Sequence, residues 1–100
     1  MIIRIFRARA KSGAADELTR VAKEIAIPFV DQHSGLVARY AGRSIGTAGD
    51  ELVMITVWED LEAMKGMTGE KWEEPVLPYD GADELIDEMF LDHYETIDSG

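Results

Sequence analysis

The chain has 100 residues, 46% of them hydrophobic, no cysteine, and a formal net charge of −10. That length suits one hydrophobic core rather than two, and the absence of cysteine removes disulfides, thiolate nucleophiles and thiolate metal sites. The acidic balance argues against nucleic acid and anionic lipid as partners, since both are held by clustered Lys and Arg; with no apolar run near about 20 residues and no leader pattern at the start, the sequence reads as cytoplasmic and outside the membrane.

The charge is uneven. Residues 1 to 50 carry eight Lys/Arg against five Asp/Glu, and residues 51 to 100 carry two against fifteen, so the halves should attract each other. Ile2 to Ala10 is strand-like, with Ile2, Ile3, Ile5 and Phe6 apolar on both parities, and Lys11, Ser12 and Gly13 make a turn. Leu18, Val21, Ala22, Ile25 and Phe29 then form a helical stripe that runs to near His33, where Gly35 suits a left-handed cap. Pro28 should kink or divide that helix, because it lacks the N–H and its ring crowds the carbonyl four residues back.

Leu36 to Ile45 reads as the second strand, Gly46 to Asp50 as a hairpin turn, and Leu52 to Trp58 as the third strand. Asp60 then stands where its carboxylate can accept from the free N–H groups of a new helix, and Leu61 and Met64 give that helix its apolar side. From Gly66 to Gly81 the periodicity is broken by Gly66, Gly69, Pro75, Pro78 and Gly81, which predicts a long loop of the kind that serves as a lid or binding loop. A short helical turn within Ala82 to Glu88 and a last strand from Met89 to Ile97 complete the chain.

Strand, helix, strand, strand, helix, loop, strand is the order of two split βαβ units sharing one antiparallel sheet, an α+β ferredoxin-like sandwich with both helices on one face. The first and third strands are then central and the last lies beside the first, which would set Arg4, Arg7 and Arg9 against Asp92, Glu95 and Asp98. In the third strand Leu52, Met54 and Trp58 share one parity and Val53, Ile55 and Val57 the other, so both faces are apolar. Helices cover only one of them. The uncovered face predicts a homodimer with two sheets packed face to face.

Three stretches, M-I-I-R-I-F-R-A-R-A-K-S-G-A-A-D-E-L, L-V-M-I-T-V-W-E-D-L-E-A-M and M-F-L-D-H-Y-E-T-I, together resemble the antibiotic-biosynthesis monooxygenase family of the dimeric α+β barrel superfamily. The resemblance implies a cofactor-independent monooxygenase of small phenolic, quinol or polyketide-like aromatic molecules, with no metal or cofactor. Alternatives are a non-catalytic dimeric module that binds an apolar ligand or assists a partner enzyme, and a haem-binding protein. Trp58 matches a position used in the family's active sites. The family pairs that tryptophan with an asparagine, which this chain lacks throughout, and its haem degraders place an iron-binding histidine where this sequence reads M-T-G-E-K-W.

Trp58 and His93 are the candidate catalytic residues. Trp58 either ends a buried strand as core or donates its indole N–H to a developing oxyanion. His93, with Asp92 and Glu95 nearby, is either a general base or a half-buried partner of a carboxylate. Tyr40, Met54, Trp72 and Tyr79 are the candidate substrate-binding residues, Trp72 and Tyr79 either anchoring the long loop or closing over a ligand. Arg39 and Arg43 share a parity and can hold an anion or form surface ion pairs, while His33 suits a structural place at a helix C-terminus. Two distant histidines make a weak metal site.

Overall fold

A computed structural model of the chain describes residues 1–46, 49–77 and 81–99. Four strands, β1 (Ile2–Ala10), β2 (Leu36–Arg43), β3 (Glu51–Trp58) and β4 (Ile86–Glu95), form one antiparallel sheet in the order β2-β3-β1-β4. The helices are α1 (Ala15–Val21), α2 (Ile27–Asp31) and α3 (Leu61–Thr68). This is the α+β ferredoxin-like arrangement that the element order predicts, with β1 and β3 central.

Pro28 divides the first helix by way of a π turn. It has no N–H to give to the carbonyl four residues back, and over Ala22–Ala26 the backbone widens so that the Ile27 N–H reaches the Ala22 carbonyl, five residues back. Pro28 itself then stands in the first turn of α2, where a missing donor costs little. Asp60 caps α3 as its position requires, its Oδ1 accepting from the Ala63 N–H at 2.8 Å. That helix runs through Gly66 to Thr68, so the loop begins at Gly69, three residues later than the glycine pattern predicts; the short turn before β4 is a 3-10 turn at Ala82–Leu85.

The register decides which side chains meet the helices. Ile2, Arg4, Phe6 and Ala8 stand opposite Trp58, Thr56, Met54 and Leu52, all on the helix-covered face. Ile3, Ile5 and Arg7 stand opposite Val57, Ile55 and Val53 on the other. On that uncovered face Tyr40, opposite Ile55, is 64% exposed, and Tyr94, opposite Ile3, is 53% exposed.

The expected pairing of Arg4, Arg7 and Arg9 with Asp92, Glu95 and Asp98 is corrected by the same register. Arg4 faces His93, Arg7 faces Phe90 and Arg9 faces Glu88, while Asp92 and Glu95 stand opposite Ile5 and Ile2, and β4 ends before Asp98. Only Arg9 makes an ion pair across this ladder, to Glu88 at 2.7 Å. Arg7 pairs with Glu51 at 2.8 Å and lies over the Phe90 ring.

The core falls into two clusters. Ala8, Ala10, Leu18 and Ile86 form one, at the α1 end. Val30, Trp58 and Met64 form the other, under α2 and α3; burying a side chain such as Met64 completely contributes about 1.5–3 kcal/mol. Phe6 packs against the first cluster and Met54 against the second.

Candidate functional site

Between the sheet and the helices, touching both core clusters, lies a cavity of about 440 Å³, within the size range of sites for small organic molecules. Phe6, Leu18, Val21, Met54 and Val30 give it apolar walls, Ala22 and Ala26 of the π turn line it from the helix side, and Val76 and Leu77 of the long loop lie over it. The charged side chains on its lining among the described residues are Arg4, Lys23, Arg39 and Arg43. All are cationic, in a chain whose net charge is −10.

A single row of side chains crosses the sheet at this level: His93 on β4, Arg4 on β1, Thr56 on β3 and Arg39 on β2, each opposite the next. Arg39 is held by Asp31 through two bonds of 2.9 Å, and Arg43 by Asp16 at 2.8 Å. These are the ion pairs that the shared parity allows, at the edge of the cavity.

Arg4 is different, being 4% exposed. Its Nη1 donates to the Trp72 carbonyl at 2.6 Å and to His93 Nε2 at 2.8 Å, and its Nη2 donates to the Glu74 carbonyl at 3.2 Å. Among the described residues no carboxylate lies within ion-pair distance of it. Burial without a counter-ion lowers its pKa to about 10, because desolvation penalises the charged form; the guanidinium still carries its charge at neutral pH.

His93 lies behind Arg4 and not on the cavity lining. Arginine has only donors, so His93 Nε2 accepts and the ring proton sits on Nδ1, which makes this histidine neutral. Burial first, and the Arg4 charge second, depress its pKa, with Glu73 and Asp92 acting the other way. The Trp72 ring meets the His93 ring edge-on at 4.9 Å.

Trp58 is fully buried, 0% exposed, and its indole N–H donates to Thr56 Oγ1 at 2.9 Å. It too stands one layer back, while Thr56 lines the cavity. With its oxygen already accepting from Trp58, the Thr56 hydroxyl keeps its own O–H to donate.

Of the residues singled out in the sequence, Met54, Trp58, Trp72 and His93 are thus gathered on the helix-covered side. Tyr40 stands on the opposite face of the sheet, and Tyr79 lies outside the described residues. His33 lies beyond the end of α2 with its ring against Phe29. Arg4 and Thr56 both line the cavity, although in the sequence Arg4 entered only through the charge pairing with the last strand and Thr56 was not singled out. A signal was present: Arg4 shares its parity with Ile2, Phe6 and Ala8, whereas Arg7 and Arg9 have the other.

The antibiotic biosynthesis monooxygenase family matches residues 1–71. The chain belongs to that family. Its fold is that of a Deinococcus radiodurans protein described as an antibiotic biosynthesis monooxygenase (18% identity, TM-score 0.78, 99% of this chain and 95% of that one). It is also that of SnoaB, a cofactor-independent oxygenase from Streptomyces nogalater (16% identity, TM-score 0.75, 98% and 94%). A Mycobacterium tuberculosis protein matches similarly, at 16% identity and TM-score 0.74 over 98% and 96%. No curated protein matches the sequence significantly. Among the described residues, no helix is long and apolar enough to cross a membrane.

Proposed function

We propose that this family member is a cofactor-independent oxygenase of a small phenol or quinol, working as a homodimer. The observation that carries this reading is the apolar cavity between sheet and helices, which is sized for one small aromatic molecule. In such a reaction the phenol ionises, its proton passing to solvent, and the electron-rich anion transfers an electron to dioxygen. The two then combine, one oxygen atom staying with the product and the other leaving as water. Dry apolar walls favour each step by keeping water from the reactive oxygenated anion.

Trp58 and His93 take part from the second layer in this proposal. Trp58 orients the Thr56 hydroxyl toward the oxygenated anion, and His93 supports the side chain beside it. The homodimer follows from the uncovered sheet face, where Ile3, Ile5, Val53, Ile55 and Val57 form a continuous apolar surface with Tyr40 and Tyr94, of a kind that monomers seldom leave in water.

Oxygen uptake with a panel of dihydroxyaromatic compounds tests the activity. Consumption above buffer, reduced at least about tenfold in Trp58→Phe or in the cavity-filling Met54→Trp, supports it. A ligand retained in the cavity with no oxygen consumed would instead favour a non-catalytic binding module.

A further inference from the structure

We propose that Arg4 is the anion-binding residue of the cavity, and that the ligand held there is a delocalised organic anion with an apolar body: a phenolate, a quinol monoanion or an enolate. The assignment deepens the oxygenase reading and rests on its cavity being the ligand site, but it concerns binding and not turnover.

Three observations carry it. First, Arg4 is an almost completely buried cation with no carboxylate in ion-pair range among the described residues, yet it is built into the wall of a cavity. Buried charges in folded proteins are ordinarily paired. An unpaired one facing an open volume leaves the place of its counter-ion to a ligand. Second, the guanidinium is held fast by its three bonds to Trp72, His93 and Glu74. They use both N–H groups of Nη1 and one of Nη2, which leaves the Nε–H and one Nη2–H, two of five donors, for an anion. Third, Thr56 stands directly opposite Arg4 with a hydroxyl free to donate, its oxygen being occupied by Trp58.

The rest of the lining sets the kind of anion. Phe6, Leu18, Val21 and Met54 offer no replacement for a hydration shell, so a compact, strongly hydrated dianion such as phosphate would be penalised on entry. A phenolate spreads its charge over a ring that those walls can cover. The other lining cations are less suited to holding it: Arg39 and Arg43 already have carboxylate partners, and Lys23 is exposed.

His93 has a defined part as a positioning residue. As a neutral acceptor it fixes the Arg4 fork without cancelling its charge, which a carboxylate in the same place would do. The same arrangement ties the long loop to the sheet, since two of the three Arg4 bonds end on its carbonyls.

The test uses the full-length protein with 4-nitrophenol, whose ionised form has its own absorption band, and 4-nitrotoluene as the neutral analogue. Bound 4-nitrophenol is expected to ionise at least about one pH unit lower than free, equivalent to a preference of about tenfold for the phenolate. In Arg4→Gln this preference should vanish while 4-nitrotoluene binding stays within about threefold. Arg4→Lys, which keeps a point charge but not the fork, should retain part of the preference. Should Arg4→Gln fail to fold, Arg4→Lys and the ratio of the two ligands in the unaltered protein still decide. His93→Gln, with an amide oxygen that can accept from Arg4, should keep more of the preference than His93→Leu.

Equal ionisation of free and bound nitrophenol in the unaltered protein overturns the proposal. So does a preference that survives Arg4→Gln but is lost in Arg39→Gln. The outcomes separate from those of the oxygenase reading. A phenolate preference with no oxygen uptake by any substrate leaves the anion site standing and removes the oxygenase; uptake without the preference does the reverse.

Discussion

Replacing Gly35 by alanine should destabilise the fold severely, for two separable reasons. Gly35 links α2 to β2 at φ +85°, and a Cβ there would come within 2.5 Å of the Ala63 Cβ and 3.6 Å of the Ala63 Cα in α3. A left-handed conformation costs a non-glycine residue about 1–2 kcal/mol, and overpacking adds about 1–3 kcal/mol. Neither side can yield easily. The Gly35 carbonyl accepts from the Glu59 N–H at 2.9 Å, and Ala63 belongs to the turn that Asp60 caps.

The sum, about 2–5 kcal/mol, corresponds to a fall in Tm of roughly 10–30 °C for a domain of this size. Ala63→Gly alone should cost about 1 kcal/mol as a glycine inside a helix. Combined with Gly35→Ala it should return the overpacking part, so that the double variant is more stable than the two single costs predict by about 1–3 kcal/mol. Urea and thermal melts of all four proteins measure this coupling. A Gly35→Ala protein that melts within a few degrees of the parent, or a double variant whose costs simply add, would refute the reasoning.

Two further outcomes are expected. Because the folded protein holds His93 below its ordinary pKa of 6.5, the unfolded chain takes up this proton first as pH falls. Stability contributed at this site is therefore full above that value, declines as pH drops below it, and levels off once the folded histidine itself titrates; urea melts across this range should show a shallower slope for His93→Gln, and an identical slope would contradict it. Ile55→Asp places a charge at the centre of the uncovered sheet face and should convert a dimer to a monomer in sedimentation, whereas a wild-type chain that sediments as a monomer removes the dimer proposal.

The order of elements was readable because each carried a local cause. Leu52 to Trp58 is apolar on both parities, as a central strand must be, and Asp60 precedes its helix at cap spacing. Gly35 stands where the backbone turns left-handed. The site was harder to read, since it depends on which residues of different strands share a row. Arg4 meets Thr56 and His93 only through two ladders whose registers no local pattern specifies. Three arginines on one strand looked like one group facing an acidic partner strand, but the pleat sends Arg4 inward and Arg7 and Arg9 outward. Tyr40 illustrates the same limit: its aromatic ring marked it as a candidate, and the register sets it on the face away from the cavity.

The π turn at Ala22–Ala26 also bears on the shape of the cavity. A π turn is an α-helix with one residue more than its flanks require, so deleting that residue and replacing Pro28, which divides the helix here, should restore an unbroken helix whose two ends keep their original faces. Here the widened turn is part of the cavity wall, through Ala22 and Ala26. Removing one residue here and replacing Pro28 should therefore alter the volume open to a ligand without re-aiming Leu18 on one side or Val30 on the other. The cavity wall and the core packing on either side of it can thus be changed separately.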